Sequence, residues 1–200
     1  MKQFFTLLLL TACVHYSCSN DNKVSAATTE PAVSADDVKA KDEDALKKAR
    51  EEKEKKMDAL KKLNPYTPDQ LKNSLPKELD GMKQRGIDGH SALGYAQASC
   101  EYKKDSITIA ITLSDCAGEV GATQYGLNYW SKLNVPEQSG NGYTKTIDFK
   151  GGKAVESFDQ SAKQTTLTYL SGDRLLVMAT GKNISAEELK AKMQKLTLKM

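Results

Sequence analysis

A strictly alternating apolar pattern at residues 106–114 constrains the fold of this chain more than any other feature. In the run SITIAITLS every second residue is Ile or Leu, and the residues between them are Thr, Ala and Ser. A period of two is typical of a β-strand that buries one face. The preceding run, Leu93–Tyr102, is separated from it by only three residues, which predicts an antiparallel hairpin. If Lys103 pairs with Ser106, Cys100 lies opposite Ile109 and both face the core.

The C-terminal part of the chain contains four more strand patterns and two helical patterns. The strands are predicted at Tyr143–Phe149, Lys153–Asp159, Gln164–Leu170 and Arg174–Thr180. Because Leu175–Ala179 is continuously apolar, the last strand is expected to be central and covered on both sides. Capping boxes, Thr67 with Gln70 and Ser185 with Glu188, predict the starts of a short early helix and of the last helix. Residues 77–91 and 135–142 contain glycines without a clear period and are predicted to be loops.

A third helix is predicted after Gly121, where the run ATQYGLNYWSKL carries one aromatic stripe. Its members are Tyr125, Tyr129, Trp130 and Leu133. Packing against the sheet is the ordinary role of such a stripe, and an aromatic platform for a ligand is the alternative. The resulting element order predicts the α+β class, with an antiparallel sheet of about six strands and two or three packed helices.

The first eighteen residues indicate export and attachment to a membrane. The apolar run Phe4–Val14 is shorter than the roughly 20 residues of a spanning helix and is typical of a secretory signal. The segment LTAC that ends at Cys13 resembles the lipobox of bacterial lipoproteins, whose cysteine is acylated. Cys18 is a second candidate, and the polar residues after it are similar to the start of tethers in Gram-negative lipoproteins. We predict a signal peptide at 1–17 with lipid on Cys18, with Cys13 as the alternative site and simple secretion as the alternative fate.

Two segments of contrasting composition precede the domain. Residues 18–40 are small and polar, which predicts a disordered tether. Residues 41–63 are rich in acids and bases spaced four apart, which predicts a charged, solvated helix that acts as a spacer. A coiled coil that binds a partner is the alternative, although lysines interrupt its best heptad seam. The α+β domain is then expected at 66–200.

The two domain cysteines leave three alternatives open. With Cys100 opposite Ile109, Cys116 lies about 23 Å further along the strand, beyond the reach of a disulfide. Either the strand bends back, or the pairing register differs, or Cys100 is a buried thiol. The buried thiol is the simplest of the three.

Few residues offer catalytic chemistry. His90 is the only histidine left once the signal is removed, so a histidine-rich metal site is excluded. No pattern of a nucleophile elbow, C-x-x-C or phosphate loop occurs. A hydrolase using His90 with a cysteine is the enzymatic alternative, and Asp115, just past a strand end, is expected to serve a turn or a cap.

These observations predict a lipoprotein without enzymatic activity or cofactor at the bacterial outer membrane. The resemblance implies a membrane contact through lipid, and we expect the domain to meet a protein partner or the cell wall. A net charge of +3 with interspersed signs argues against a nucleic-acid partner. The alternative is binding of a small ligand between the aromatic helix and the sheet, with contacts from Tyr125, Tyr129 and Trp130. The last strand and helix are also similar to the tail of small exported bacterial domains whose function is not established.

Overall fold

The computed structural model describes residues 35–133 and 137–199, with side chains described from residue 43 onward except at 137–139. The chain divides into two units, residues 1–40 and residues 41–200, and the second contains the whole sheet. None of the helices in the described part of the chain combines the length and apolar character needed to cross a membrane. The predicted signal peptide, and the predicted tether up to residue 34, lie outside the described residues.

The second unit is built from helices on both faces of a single sheet. The helices are α1 (Ala35–Lys61), whose first six residues belong to the first unit, α2 (Pro68–Ser74), α3 (Gly118–Asn128) and α4 (Ala186–Lys195), and a 3-10 turn at Trp130–Lys132 follows α3. The strands are β1 (Glu78–Leu79), β2 (Met82–Ala92), β3 (Tyr95–Lys104), β4 (Ile107–Asp115), β5 (Glu137–Ser139), β6 (Gly142–Phe149), β7 (Gly152–Asp159), β8 (Gln164–Ser171) and β9 (Leu175–Lys182). Helix α1 therefore begins at residue 35 and ends at residue 61, whereas the sequence predicted 41–63.

The sheet has nine strands in the order β1-β2-β3-β4-β9-β8-β7-β6-β5. Every neighbouring pair is antiparallel. The α+β class agrees with the sequence, but the prediction of about six strands is wrong, even when the two-residue β1 is set aside and eight remain. Strands β2 and β5 lie in segments that the sequence predicted to be loops. Both lie near an edge of the sheet, where a strand need not alternate apolar with polar residues because it has little core to bury.

One face of the sheet carries the main core beneath α2 and α4. Large apolar residues from β3, β4, β8 and β9 meet Leu71 of α2 and Leu189 and Met193 of α4, and all three helical residues are fully buried. The opposite face carries a second cluster beneath α3 and the end of α1: Leu60, Cys116, Ala122, Tyr125, Tyr129 and Leu176. Strand β9 is central, as predicted, but Met178 on the second face is 42 % exposed, so the cover there is incomplete.

The hairpin β3–β4 has the predicted core face but a different register. Cys100 pairs with Ile111 rather than with Ile109, because the two-residue turn is Asp105-Ser106 and not Lys104-Asp105. Asp105 adopts a φ of +52°, which a short polar residue tolerates in a tight turn. A shift of two residues preserves the side-chain parity, so the isoleucines still point into the core. The predicted register is therefore wrong and the predicted face is right.

The two cysteines of the domain are free and buried in different clusters. Cys100 belongs to the core under α2 and α4, whereas Cys116 belongs to the cluster under α3. Among the described residues there is thus no disulfide, in agreement with the buried-thiol interpretation.

Both predicted capping boxes are present. The Thr67 hydroxyl accepts a hydrogen bond from the Gln70 amide at 3.2 Å, and the Gln70 side chain accepts one from the Thr67 amide at 2.8 Å. Ser185 and Glu188 form the same reciprocal pair at the start of α4. These local signals needed no tertiary information, because the bonded partners are three residues apart.

Candidate functional site

A buried ion pair fastens the segment after α1 to the sheet. Asp115, at the end of β4, has a fully buried carboxylate that accepts hydrogen bonds from the amides of Tyr66 at 2.7 Å and Ala117 at 3.1 Å. Arg174 donates to the same carboxylate through Nε at 2.9 Å and through Nη2. Its guanidinium also donates to the carbonyl of Asn64 at 2.8 Å and lies 3.8 Å from the centre of the Tyr66 ring. We refer to Asn64, Tyr66, Asp115 and Arg174 as the clasp.

The last turns of α1 pack directly on the domain. Leu60 is 1 % exposed and belongs to the cluster beneath α3, with Met57 against it. Gly126 of α3 permits this approach, since a Cβ at that position would lie 3.3 Å from the Met57 sulfur. The Lys56 ammonium pairs with Asp173 at 2.7 Å. This part of the helix is a component of the domain rather than a solvated spacer.

The preceding turns of α1 are largely solvated. Between residues 43 and 55 every side chain is exposed except Ala49 and Lys53, which are half-buried. At 1.5 Å per residue this stretch extends about 20 Å. We refer to residues 43–61 as the arm. Its first part is charged and solvated, whereas its last turns are held by the domain.

A small polar cleft opens beside the end of α3 on the second face of the sheet. It has a volume of about 170 Å³, and its floor is formed by β3, β4, β8 and β9. Asn128 ends α3 and Lys132 ends the following 3-10 turn, and both contribute to its wall. Leu176 and Met178 supply the apolar part of the floor. We refer to this space as the polar cleft.

The hydroxyl groups of the polar cleft are organised by one amide. Gln97 Nε2 donates to the Tyr95 hydroxyl at 3.1 Å and to the Ser114 hydroxyl at 2.8 Å. A hydroxyl that accepts in this way keeps its own hydrogen for a further acceptor. Burial raises the pKa of Tyr95, so its phenol stays protonated at neutral pH and acts as a donor.

Lys132 is the only charged residue among those described along the polar cleft. None of the ion pairs found between described side chains involves it, and its side chain is exposed. The cleft therefore combines one cation with neutral donors and has no described carboxylate in its lining. Such an arrangement favours an anionic or strongly accepting group.

The three aromatic residues predicted as ligand contacts lie in the same segment but do not line this cleft. Tyr125 and Tyr129 are 3 % and 6 % exposed, and their ring centroids are 5.6 Å apart. Trp130 is half-buried with its ring 6.3 Å from that of Tyr125. The Tyr129 hydroxyl donates to the carbonyl of Lys153. These contacts hold α3 on the sheet, and the cleft instead uses Asn128 and Lys132, the polar neighbours of the stripe.

His90 and the two cysteines, considered as a catalytic pair from the sequence, lie in different environments. His90 is exposed on β2, near an edge of the sheet, whereas Cys100 and Cys116 are buried. Burial raises the pKa of Cys100, and it raises the pKa of Cys116 to about 12. A protonated, inaccessible thiol is a poor nucleophile. Among the described residues no group of three or more side chains could hold a metal ion.

A second buried carboxylate lies under α4. Glu156 of β7 is fully buried and pairs with Lys145 at 3.0 Å and with Lys190 of α4 at 3.1 Å, while the Tyr143 hydroxyl donates to it at 2.8 Å. The two lysines and the tyrosine converge on it from β6 and α4, so the group ties that helix to the sheet. All three partners belong to the fold itself.

A groove of about 620 Å³ lies between α2 and β2, next to the edge strand β1. Lys72, Lys77 and Lys199 line it, but Glu78 lies among them and Lys72 is already paired with Asp69 at 2.7 Å. Three lysines against one glutamate leave this groove cationic, but no hydrogen bond described between side chains joins two of its lining residues, unlike the two bonds that Gln97 donates in the polar cleft. The polar cleft is therefore the better candidate for binding.

Sequence reasoning did not identify the clasp or the polar cleft. Asp115 was expected to serve a turn or a cap, and its partner Arg174 lies 59 residues away. Tyr95 and Gln97 could have been found from strand parity, because they alternate with the core residues of β3 and must face the other side. Cys13 and Cys18, the predicted lipid sites, lie outside the described residues. No family model matches the chain, and no curated protein or solved structure matches it either.

Proposed function

We propose that the chain is a lipid-anchored protein of the bacterial cell envelope that presents its domain to a protein partner or to the cell wall, without enzymatic activity. The export signal and the resemblance of the segment around Cys13 and Cys18 to lipoprotein attachment sites support the anchor. The observation that carries the proposal is the attachment of the arm. Leu60, Met57 and the clasp join its end to the domain through apolar, ionic and hydrogen-bonded contacts.

A fixed arm has a consequence that a flexible linker lacks. A flexible chain lets a domain sample many positions, whereas a helix of defined length keeps the domain a set distance from the end of the tether. An enzyme acting on a diffusing substrate gains little from this constraint, because substrate reaches its site in any orientation. A domain that must meet a neighbouring surface gains more, because the fixed helix reduces the number of positions that its binding face samples.

The experiment changes the length of the arm while keeping its attachment. Deleting residues 43–49 shortens the exposed helix by about 10 Å and leaves Met57, Leu60 and the clasp untouched. The matched control replaces the same seven residues with an Ala-rich helical heptad of equal length. Each variant is expressed in cells, cross-linked and analysed by mass spectrometry. The parent and the control should each be cross-linked to the same recurrent protein or cell-wall fragment, and the deletion variant should not be. An unchanged cross-link in the deletion variant would contradict a role for the arm.

The anchor is tested separately. Replacing both Cys13 and Cys18 with Ser should release the chain from the membrane fraction, and each single replacement identifies the acylated residue. Retention of the double variant in the membrane would contradict the lipid anchor.

The polar cleft favours a second candidate function, the binding of a small ligand by the presented domain. The specific observation is a set of organised donors and one cation beside an apolar floor. Ligand sites typically combine an apolar lining with a few placed polar groups. Fluorescence of Trp130, the only tryptophan, reports on the segment that contributes Asn128 and Lys132. A flat response of that signal to a panel of metabolites, together with unchanged thermal stability, would count against this function.

A further inference from the structure

The polar cleft presents neutral hydrogen-bonding groups beside one cation. Gln97 supplies both hydrogens of its amide to Tyr95 and Ser114. The Tyr95 hydroxyl accepts one of these bonds and can still donate its own hydrogen. The Lys132 ammonium can donate three hydrogen bonds and carries a positive charge. Ser114 is 5 % exposed and Thr168 is 8 % exposed, so the floor is built into the sheet rather than added at its rim.

The charge of the cleft selects between ligand classes. A cationic ligand would meet Lys132 and find no described carboxylate in the lining. A neutral ligand would gain no charge-assisted bond from the exposed Lys132, whose ammonium would stay in water. A carboxylate accepts from an ammonium and a phenol together, and such charge-assisted hydrogen bonds are stronger than neutral ones.

The size of the cleft limits how much of a ligand it encloses. A volume of about 170 Å³ corresponds to about six waters at 30 Å³ each. This is below the roughly 300–1,000 Å³ of sites that enclose a drug-sized molecule. A short hydroxy acid is within this size, and the Thr112 and Thr168 hydroxyls in the lining can pair with its hydroxyl group. A larger ligand would place only its acidic substituent there.

We infer that the polar cleft binds the carboxylate of a hydroxylated ligand, either a free hydroxy acid or an acidic sugar of the cell wall. Lys132 and Tyr95 bind the carboxylate, Gln97 and Ser114 orient the donors, and Met178 contacts the apolar side. The inference rests on the second candidate function and names its ligand class. It does not depend on the anchor or the arm, because binding is measured on the purified chain.

The test uses three probes that differ in the acid group. N-acetylmuramic acid carries a lactyl carboxylate on its ring, N-acetylglucosamine has a related ring without that carboxylate, and lactate is the acid without the ring. Each is titrated into the full chain purified in detergent, with Trp130 fluorescence and saturation-transfer NMR as independent readouts. Two substitutions test the site, Lys132→Met and Tyr95→Phe. Lys103→Met is the matched control, an exposed lysine on β3 outside the cleft.

We expect the two acids to bind and N-acetylglucosamine not to bind. Lys132→Met should weaken binding at least tenfold, about 1.4 kcal/mol, Tyr95→Phe should weaken it less, and Lys103→Met should leave it unchanged. Tighter binding of N-acetylmuramic acid than of lactate identifies the cell-wall sugar as the source, and equal binding identifies a free hydroxy acid. Absence of binding by both acids, equal binding of N-acetylglucosamine, or equal effects of Lys132→Met and Lys103→Met would overturn the inference. None of these results bears on whether the arm presents the domain.

Discussion

Replacing Asp115 with Ala tests how firmly the clasp holds the arm to the domain. The substitution removes the acceptor of four hydrogen bonds, from the amides of Tyr66 and Ala117 and from Nε and Nη2 of Arg174. It also leaves a guanidinium whose side chain is only 18 % exposed without its counter-ion. Removing one partner of a buried pair costs about 3–5 kcal/mol, because the remaining charge stays partly buried and uncompensated. We therefore expect a loss of about 3–5 kcal/mol in the free energy of unfolding, a large share of the 5–15 kcal/mol typical of a domain.

The assay is urea unfolding of the full chain, followed by Trp130 fluorescence and by circular dichroism. The matched control is Asp173→Ala, which removes the 97 % exposed partner of Lys56. An exposed pair contributes about 0–1 kcal/mol, so this control should unfold close to the parent. The double variant Asp115→Leu with Arg174→Met should recover part of the loss, because it leaves no unpaired charge. A cost for Asp115→Ala no larger than that of Asp173→Ala would refute the reasoning.

Three further perturbations test other contacts. Leu60→Ala should lower the free energy of unfolding by about 2–5 kcal/mol, whereas Leu46→Ala, at a side chain that is 55 % exposed, should leave it nearly unchanged in the same urea assay. Burial acts to raise the pKa of Glu156, but hydrogen bonds from Lys145, Tyr143 and Lys190 hold that pKa below its ordinary value of 4.5. The carboxylate therefore stabilises the fold above pH 4.5 and loses this contribution as the pH falls through the lowered pKa. Glu156→Gln should flatten the acid limb of the stability–pH curve, and a limb as steep as that of the parent would contradict the assignment. Gly121→Ala should lower the melting temperature even though Ala favours helices, because its Cβ would lie 2.5 Å from the backbone carbon of Cys116; a raised melting temperature would show that the backbone there relaxes.

Local patterns predicted the elements whose stability depends on neighbours in sequence or on one core face. The capping residues of α2 and α4, and the apolar run that makes β9 central, are examples. The sequence did not predict strand β2, because its turn to β3 has Leu93 at a φ of +53° where Asn or Asp is usual. Gly86 at a φ of +50° adjoins a shift in register that further breaks its alternation.

The functional features depend on contacts that no local pattern contains. The clasp joins Tyr66, Asp115 and Arg174 across more than a hundred residues of chain. The attachment of the arm rests on Leu60 and Met57, which lie near the end of a helix whose heptad seam is interrupted by lysines. From the sequence, that seam indicated a free spacer. Of the stripe predicted as one helix, only Tyr125 lies in α3, whereas Tyr129 follows its end and Trp130 begins the 3-10 turn. The polar neighbours Asn128 and Lys132, rather than the aromatic rings, line the cleft.

The most direct test of the account is amide hydrogen exchange along α1 in the full chain. Most helical stability in a protein comes from tertiary packing, so the amides of a solvated stretch of helix exchange faster than those of a packed stretch. We predict that residues 56–61 exchange as slowly as β4 and β9, that residues 43–52 exchange faster, and that Asp115→Ala speeds exchange at 56–61. If residues 56–61 instead exchange as fast as residues 43–52 in the parent, the arm is not fixed to the domain and the proposed mode of presentation is contradicted.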